Sequence, residues 1–162
     1  MADRDRDAEG RPRNSRPRDG LGRPLPRDRH GVPVTPEDLN LTVPETLEMA
    51  QDLLDRGRPF HAHEVLEARW KSCPRAERDL WQGLAQLAVG ITHQLRGNTT
   101  GAITLIGRGA KYLRPYASDA APAHVDGVDV HQVLDWADRT VAGLKAGQGI
   151  GATVTLRQEA SS

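Results

Sequence analysis

Apolar residues recur at three- and four-residue spacing through most of the chain, and the strict alternation of a half-buried strand is absent, so the pattern predicts an all-α domain. A first helix is expected from Pro44, a residue suited to a first turn, to Arg56, with Leu47, Ala50, Leu53 and Leu54 on one side and Gly57 as its stop. A second runs from Pro59 to Lys71 and ends ahead of Pro74, and a third from Arg75 to Arg96 is stopped by Gly97. Asn98 caps a fourth, which turns Ala102, Leu105, Ile106, Gly109 and Leu113 inward and ends at Pro115. Asp126 or Asp129 caps a fifth that shows Val130, Val133, Leu134, Ala137, Val141 and Leu144 on one face. The short connections imply antiparallel neighbours. The expected fold is therefore a small antiparallel bundle of about five helices over residues 36–146.

The two ends carry no such period. Residues 1–31 hold nine arginines, six acids and four prolines with almost no aliphatic side chains, a composition expected to stay disordered. That tail could touch nucleic acid, but its acids interleave with the arginines, which favours a solvated segment. The stretch from Gly147 to Ser162 (GQGIGATVTLRQEASS) is glycine-rich and is expected to be a flexible tail. At 162 residues the chain suggests one domain, and its 22 basic and 22 acidic residues cancel, giving no general pull toward nucleic acid. Cys73 is the only cysteine, no apolar run follows the N-terminus, and nothing is long enough to span a membrane, so a cytoplasmic location is expected.

Candidate chemistry appears where polar residues interrupt the helical stripes. On a wheel for the second helix, Phe60, Leu66 and Trp70 share one face, with His63 and Glu67 one turn apart between them and Glu64 at the edge. His61, Val65, Ala68 and Arg69 point elsewhere on this wheel. In the third helix, no Asp, Glu, Lys or Arg occurs from Leu80 to Leu95. Leu80, Leu84, Leu87, Ile91 and Leu95 form one side, and Gln82, Gln86, Val89 and His93 form a row on the other. Gly83 and Gly90, costly in a helix, suggest that a neighbouring helix comes close. If the two helices are antiparallel, His63 and Glu67 would meet Gln82, Gln86 and His93 and satisfy one another.

Three readings of this cluster stand side by side. It is a packing network that fixes helix register, as in a structural or adapter protein. It is a pocket for a small ligand lined by His63, Glu67, Trp70, Gln82, Gln86, His93, Arg96 and Asn98, in which Glu64 or Glu67 could act as acid and base. Or it holds a divalent metal on His63, Glu67 and His93, as in a hydrolase-like enzyme, although the second histidine of the metalloprotease helix motif is missing. At Arg96-Gly97-Asn98, glycine can end one helix and asparagine cap the next, while Arg96 suits the negative end of the helix dipole. Trp70 and Trp81 fit core or pocket wall better than a stacking platform.

The stretches PFHAHEVLEARWK and WQGLAQLAVGITHQLRGNTTGA resemble a bacterial family known as domain of unknown function 309. The matching positions are Phe60, His63, Glu64, Glu67 and Trp70, then Gly83, Leu84, Gln86 and Ala88, then His93, and then Arg96, Gly97, Asn98, Gly101 and Ala102. Ala85 and Thr92 depart from the family pattern, which usually has a bulkier aliphatic and often an aromatic residue there. The resemblance implies an all-helical cytoplasmic bundle and no established reaction.

Overall fold

The computed structural model describes residues 40–157, so the expected disordered segment over 1–31 and the last five residues of the expected C-terminal tail lie outside the described residues. Five helices follow one another: α1 (Val43–Asp55), α2 (Pro59–Ser72), α3 (Arg78–Leu95), α4 (Thr99–Leu113) and α5 (Val130–Lys145). The only β pairing among the described residues is an isolated bridge between Val128 and Arg157. No described helix is long and apolar enough to cross a membrane. The architecture is an all-α antiparallel bundle.

Local chemistry sets the boundaries. Thr42 and Glu45 form a capping box at the start of α1, the Thr42 hydroxyl accepting from the Glu45 amide and the Glu45 carboxylate from the Thr42 amide. The expected third helix divides in two. After Pro74 the chain makes one 3₁₀ turn, Arg75–Glu77, before α3 begins at Arg78. Gly57 and Gly97 take φ of 74° and 83°, a left-handed backbone that lets the chain leave each helix while its last carbonyls are still capped. At the second of these stops Asn98 N–H donates to the His93 carbonyl at 2.8 Å, and the Asn98 side chain then caps α4 by accepting from Gly101 N at 3.0 Å. Asp129, rather than Asp126, caps α5.

α3 is the central rod, packed against α2 on one side and α4 on the other. Leu80, Trp81, Leu84, Leu87 and Ala88 are buried along it. The approach to α4 is closest at two glycines. A Cβ on Gly83 would stand 2.9 Å from the Gly109 carbonyl oxygen, and one on Gly109 would stand 2.8 Å from that of Gly83. Gly90 likewise faces Ile106, whose side chain a Cβ there would meet at 2.6 Å.

The C-terminal stretch differs from the expectation of a flexible tail as far as it is described. Val154 and Leu156 are both 1% exposed, inside the hydrophobic core. The buried Gln51 side chain grips the backbone between them, its Nε2 donating to the Val154 carbonyl at 3.0 Å and its Oε1 accepting from Leu156 N at 2.8 Å. The Trp136 indole N–H donates to the Ala152 carbonyl at 2.8 Å. Two alternating apolar residues are too short a signal to stand out in a glycine-rich run. A single carboxamide supplies the pairing that a neighbouring strand would give.

Candidate functional site

The orientation of α2 is the main correction to the helical wheel. Its buried face is His61, Ala62, Val65 and Leu66, whereas Phe60, His63, Glu67 and Trp70 are only half-buried along one border. Leu66 belongs to the core as expected, but the core arc is turned away from Trp70 and toward Val65. The cause lies in the sequence: α2 packs against both α1 and α3, so its buried arc is wide, and its few apolar residues do not centre that arc. On α3 the expected polar row is likewise a rim. Gln82, Gln86, Val89 and His93 are all half-buried, between buried positions on either side.

His63 and Glu67 form a pair on that border. His63 Nε2 lies 3.1 Å from Glu67 Oε2, and Lys71 Nζ lies 3.6 Å from Glu67 Oε1. The hydrogen bond from His63 holds the Glu67 carboxyl below its ordinary range, against the opposing pull of partial burial, with the charges of His63 and Lys71 adding to the lowering. In a neutral imidazole the carboxylate fixes the proton on Nε2 and leaves Nδ1 an acceptor, whereas in the charged form both nitrogens donate. That Nδ1 is buried, beside the Phe60 ring whose centroid lies 5.7 Å from the imidazole, and has no hydrogen-bond partner among the described residues. A carboxyl held low is ionised at neutral pH, which suits Glu67 to orienting or accepting and not to donating a proton.

The second part of the expected cluster has a partner of its own. His93 Nδ1 lies 2.9 Å from Asn98 Nδ2, so it is tied to the corner between α3 and α4. Among the described residues no hydrogen bond joins the His63–Glu67 pair to Gln82, Gln86 or His93, so the expected mutual satisfaction is not what the structure shows. Gln86 Oε1 is buried without a partner. Nor do His63, Glu67 and His93 form a ligand set: no three His, Cys, Asp or Glu side chains among the described residues are placed to hold a metal ion. Trp70 lies half-buried under the Arg78 guanidinium, 5.6 Å from the ring centroid. Glu64 is half-buried and Arg96 exposed, and both make interactions of their own. Asn98 is exposed and occupied with capping.

Two features escaped the sequence reading. His61 is 1% exposed, and neither ring nitrogen has a partner among the described residues. Its position two residues before His63 on a helix with a weak apolar stripe gave no way to tell which histidine faced inward. Arg69, expected to point elsewhere, lies with its guanidinium 5.6 Å from the ring centroid of the fully buried Trp81 and 3.7 Å from Glu77, which also accepts from the Trp81 indole N–H at 3.1 Å. Nothing in the spacing connects Arg69 to residues beyond the Pro74 turn.

A family model described as "Domain of unknown function (DUF309)" matches residues 47–105. Over 56 residues the chain is 41% identical to the Uncharacterized protein YpuF of Bacillus subtilis (strain 168), a stretch that makes up 34% of this chain and 32% of that protein. The chain thus spans about a third of the length of the curated relative it matches. No solved structure matches it. The family match runs from Leu47 in α1 to Leu105 in α4 and so contains the whole α2–α3 rim. Residues 47–105 therefore carry the pattern of the DUF309 family, the family that the His-Glu-x-x-Glu-x-x-Trp and Arg-Gly-Asn motifs resemble.

Proposed function

We propose that the chain is a cytoplasmic binding domain whose α2–α3 rim takes a small, donor-rich polar ligand. The observation that supports this most is the His63–Glu67 pair, in which one imidazole nitrogen is taken by the carboxylate and the other is buried with no partner among the described residues. Gln86 Oε1 on the neighbouring helix is a second acceptor in the same condition. Leaving a buried polar atom unpaired costs about 1–3 kcal/mol. A rim that served packing alone would close these groups on each other or use apolar residues instead.

With a neutral His63 both unpaired atoms accept, and the adjoining Glu67 is an anion, so the complementary ligand offers O–H or N–H groups, as a polyol, an amino sugar or the amino edge of a nucleobase does. The atoms are covered in the free chain, so His63 and Gln86 turn to meet such a ligand. Their half-buried side chains leave room to do so. A cytoplasmic setting is in keeping with the single free thiol of Cys73.

The test is isothermal titration of the full chain with representative polyols, amino sugars and nucleosides, repeated on Glu67→Leu and Gln86→Leu. At least one class should bind the parent chain and lose tenfold or more in affinity in both variants while their melting curves stay cooperative. Binding by none of the three classes, or binding that both variants retain, would refute the reading.

A further inference from the structure

On the far side of α3 from the polar rim is a cavity of about 410 Å³ that no feature of the family match explains. Its size falls in the range of about 300–1,000 Å³ usual for small-molecule sites. Leu54 and Pro59 close it at the corner between α1 and α2, Ile91 and Leu95 along the last turn of α3, and Trp136 from α5. The remaining wall is the C-terminal segment, through Ile150, Gly151 and Thr153. That segment and Trp136 lie beyond the stretch matched by the family.

The lining decides what the cavity can hold. None of its lining residues is ionisable, so an ionic ligand would lose its hydration and gain no counter-charge. The C-terminal ends of α1 and α3 both border it, and the partial negative charge of those ends disfavours a carboxylate in particular. One polar side chain of the wall has a buried atom left unpaired, whereas Thr153 is exposed to solvent. Gln94 lines the cavity, and its Oε1 is buried without a partner among the described residues. The terminal torsion of a glutamine is broad, so its carboxamide can turn to accept from a ligand. The Trp136 indole N–H cannot serve, because it is already given to the Ala152 carbonyl, the bond that ties the C-terminal segment to α5. Leu95, at 49% exposed, is one of two large apolar side chains left open to solvent among the described residues, and it borders this cavity.

From this combination we infer that the cavity is a second binding site, for a small neutral and mostly apolar molecule bearing one hydroxyl or amide donor. Gln94 recognises the donor, and the apolar walls take the rest of the molecule.

The probes are 1-hexanol, hexanoate, hexylamine and 1-chloropentane, titrated into the full chain and followed by amide chemical shifts. 1-Hexanol should give saturable shifts confined to residues near Ile91, Leu95, Ile150, Gly151 and Thr153, with hexanoate and hexylamine at least tenfold weaker. Leu95→Lys, whose charge suits the C-terminal end of α3, should weaken 1-hexanol tenfold or more, while Met49→Lys, at the other large apolar residue exposed among the described ones, should leave it unchanged. Gln94→Leu should abolish the preference for 1-hexanol over 1-chloropentane. Shifts that do not saturate, that map to another face, or that the charged probes match would overturn the site. A Gln94→Leu variant that keeps its preference for the alcohol would overturn the role of the carboxamide.

Discussion

The two sides of α3 solve opposite problems. Toward α4 the helix has shed side chains: Gly83 and Gly109 let two backbones approach until each carbonyl would touch a Cβ on the other, and Gly90 makes room for Ile106. Along its outer border it carries Gln82, Gln86 and His93, half-buried and in part unpaired. The first side gains close-packed contact and tolerates no added volume. The second gives up stability that apolar residues at the same positions would supply. Because both sides belong to one rigid helix, the packed face fixes the position of the polar one. The stability surrendered at the rim is thus informative, since the chain had the means to avoid it.

The contrast breaks most visibly by forcing volume into the packed side. Gly109→Val places a branched Cβ against the Gly83 carbonyl and Leu87, contacts that neither backbone can yield cheaply. The expected loss is about 3 kcal/mol, the upper part of the usual overpacking range. Urea denaturation followed by far-ultraviolet circular dichroism measures it, and a loss within error of zero would show that the helices are free to separate.

A second contrast sets two glutamines against each other. Gln51 is buried with both ends of its carboxamide used, holding the Val154 carbonyl and the Leu156 amide, whereas Gln86 keeps a buried acceptor unpaired. Gln51→Leu strands two backbone groups and should cost about 2 kcal/mol, with early hydrogen exchange at Leu156. Gln86→Leu should be neutral or stabilising, because it removes an unpaired polar atom. Equal losses in the two variants would mean that Gln86 is as structural as Gln51 and would weaken the case for a ligand at the rim.

Much of this was readable from the sequence, for a physical reason in each case. Helix limits were clear because Gly57, Gly97, Asn98 and Asp129 are backbone signals that act locally and do not depend on what packs where. The glycines of α3 gave their meaning away because a helix keeps such residues only under pressure from a neighbour. The facing of α2 was not readable, since His61 and His63 differ by 200° on the wheel and only tertiary contacts choose between them. The docking of Val154 and Leu156 was hidden for the same reason. It depends on Gln51, about a hundred residues away, and no local pattern announces that bond. That His63 pairs with Glu67 and His93 with Asn98 also lay beyond the wheels, which give direction around a helix but not the partner a side chain takes.

A smaller effect with the opposite sign tests whether glycine in α4 is kept for packing alone. Gly107 is exposed within the helix, and a Cβ there would meet nothing within 4 Å. Gly107→Ala should therefore stabilise by about 0.5–1 kcal/mol through helix propensity, against the loss at Gly109 only two residues away. A destabilised Gly107→Ala would show that the helix is sensitive to substitution in general and would remove the meaning of the Gly109 result.

The smallest effect concerns the charge on the rim. The folded chain holds the Glu67 carboxyl below 4.5, chiefly through the hydrogen bond from His63. A depressed carboxyl binds its proton less readily in the folded state than in the unfolded one, so its contribution to stability is fully present above pH 4.5 and is lost as the pH falls below that value through the folded-state value. Glu67 is 36% exposed at its side chain, and solvent screening limits the contribution to a few tenths of a kcal/mol, as for other exposed pairs. The quantity to measure is the difference in stability between the chain and its Glu67→Gln variant at a series of pH values. It should favour the parent chain by a small constant amount above 4.5, shrink below it, and fall with added salt. Other carboxylates titrate in the same range, but they are common to both proteins and cancel in the difference. A difference that is flat across the acid range would mean that His63 and Glu67 do not form their pair in solution, and with it would go the fixed tautomer that leaves His63 Nδ1 open to a ligand.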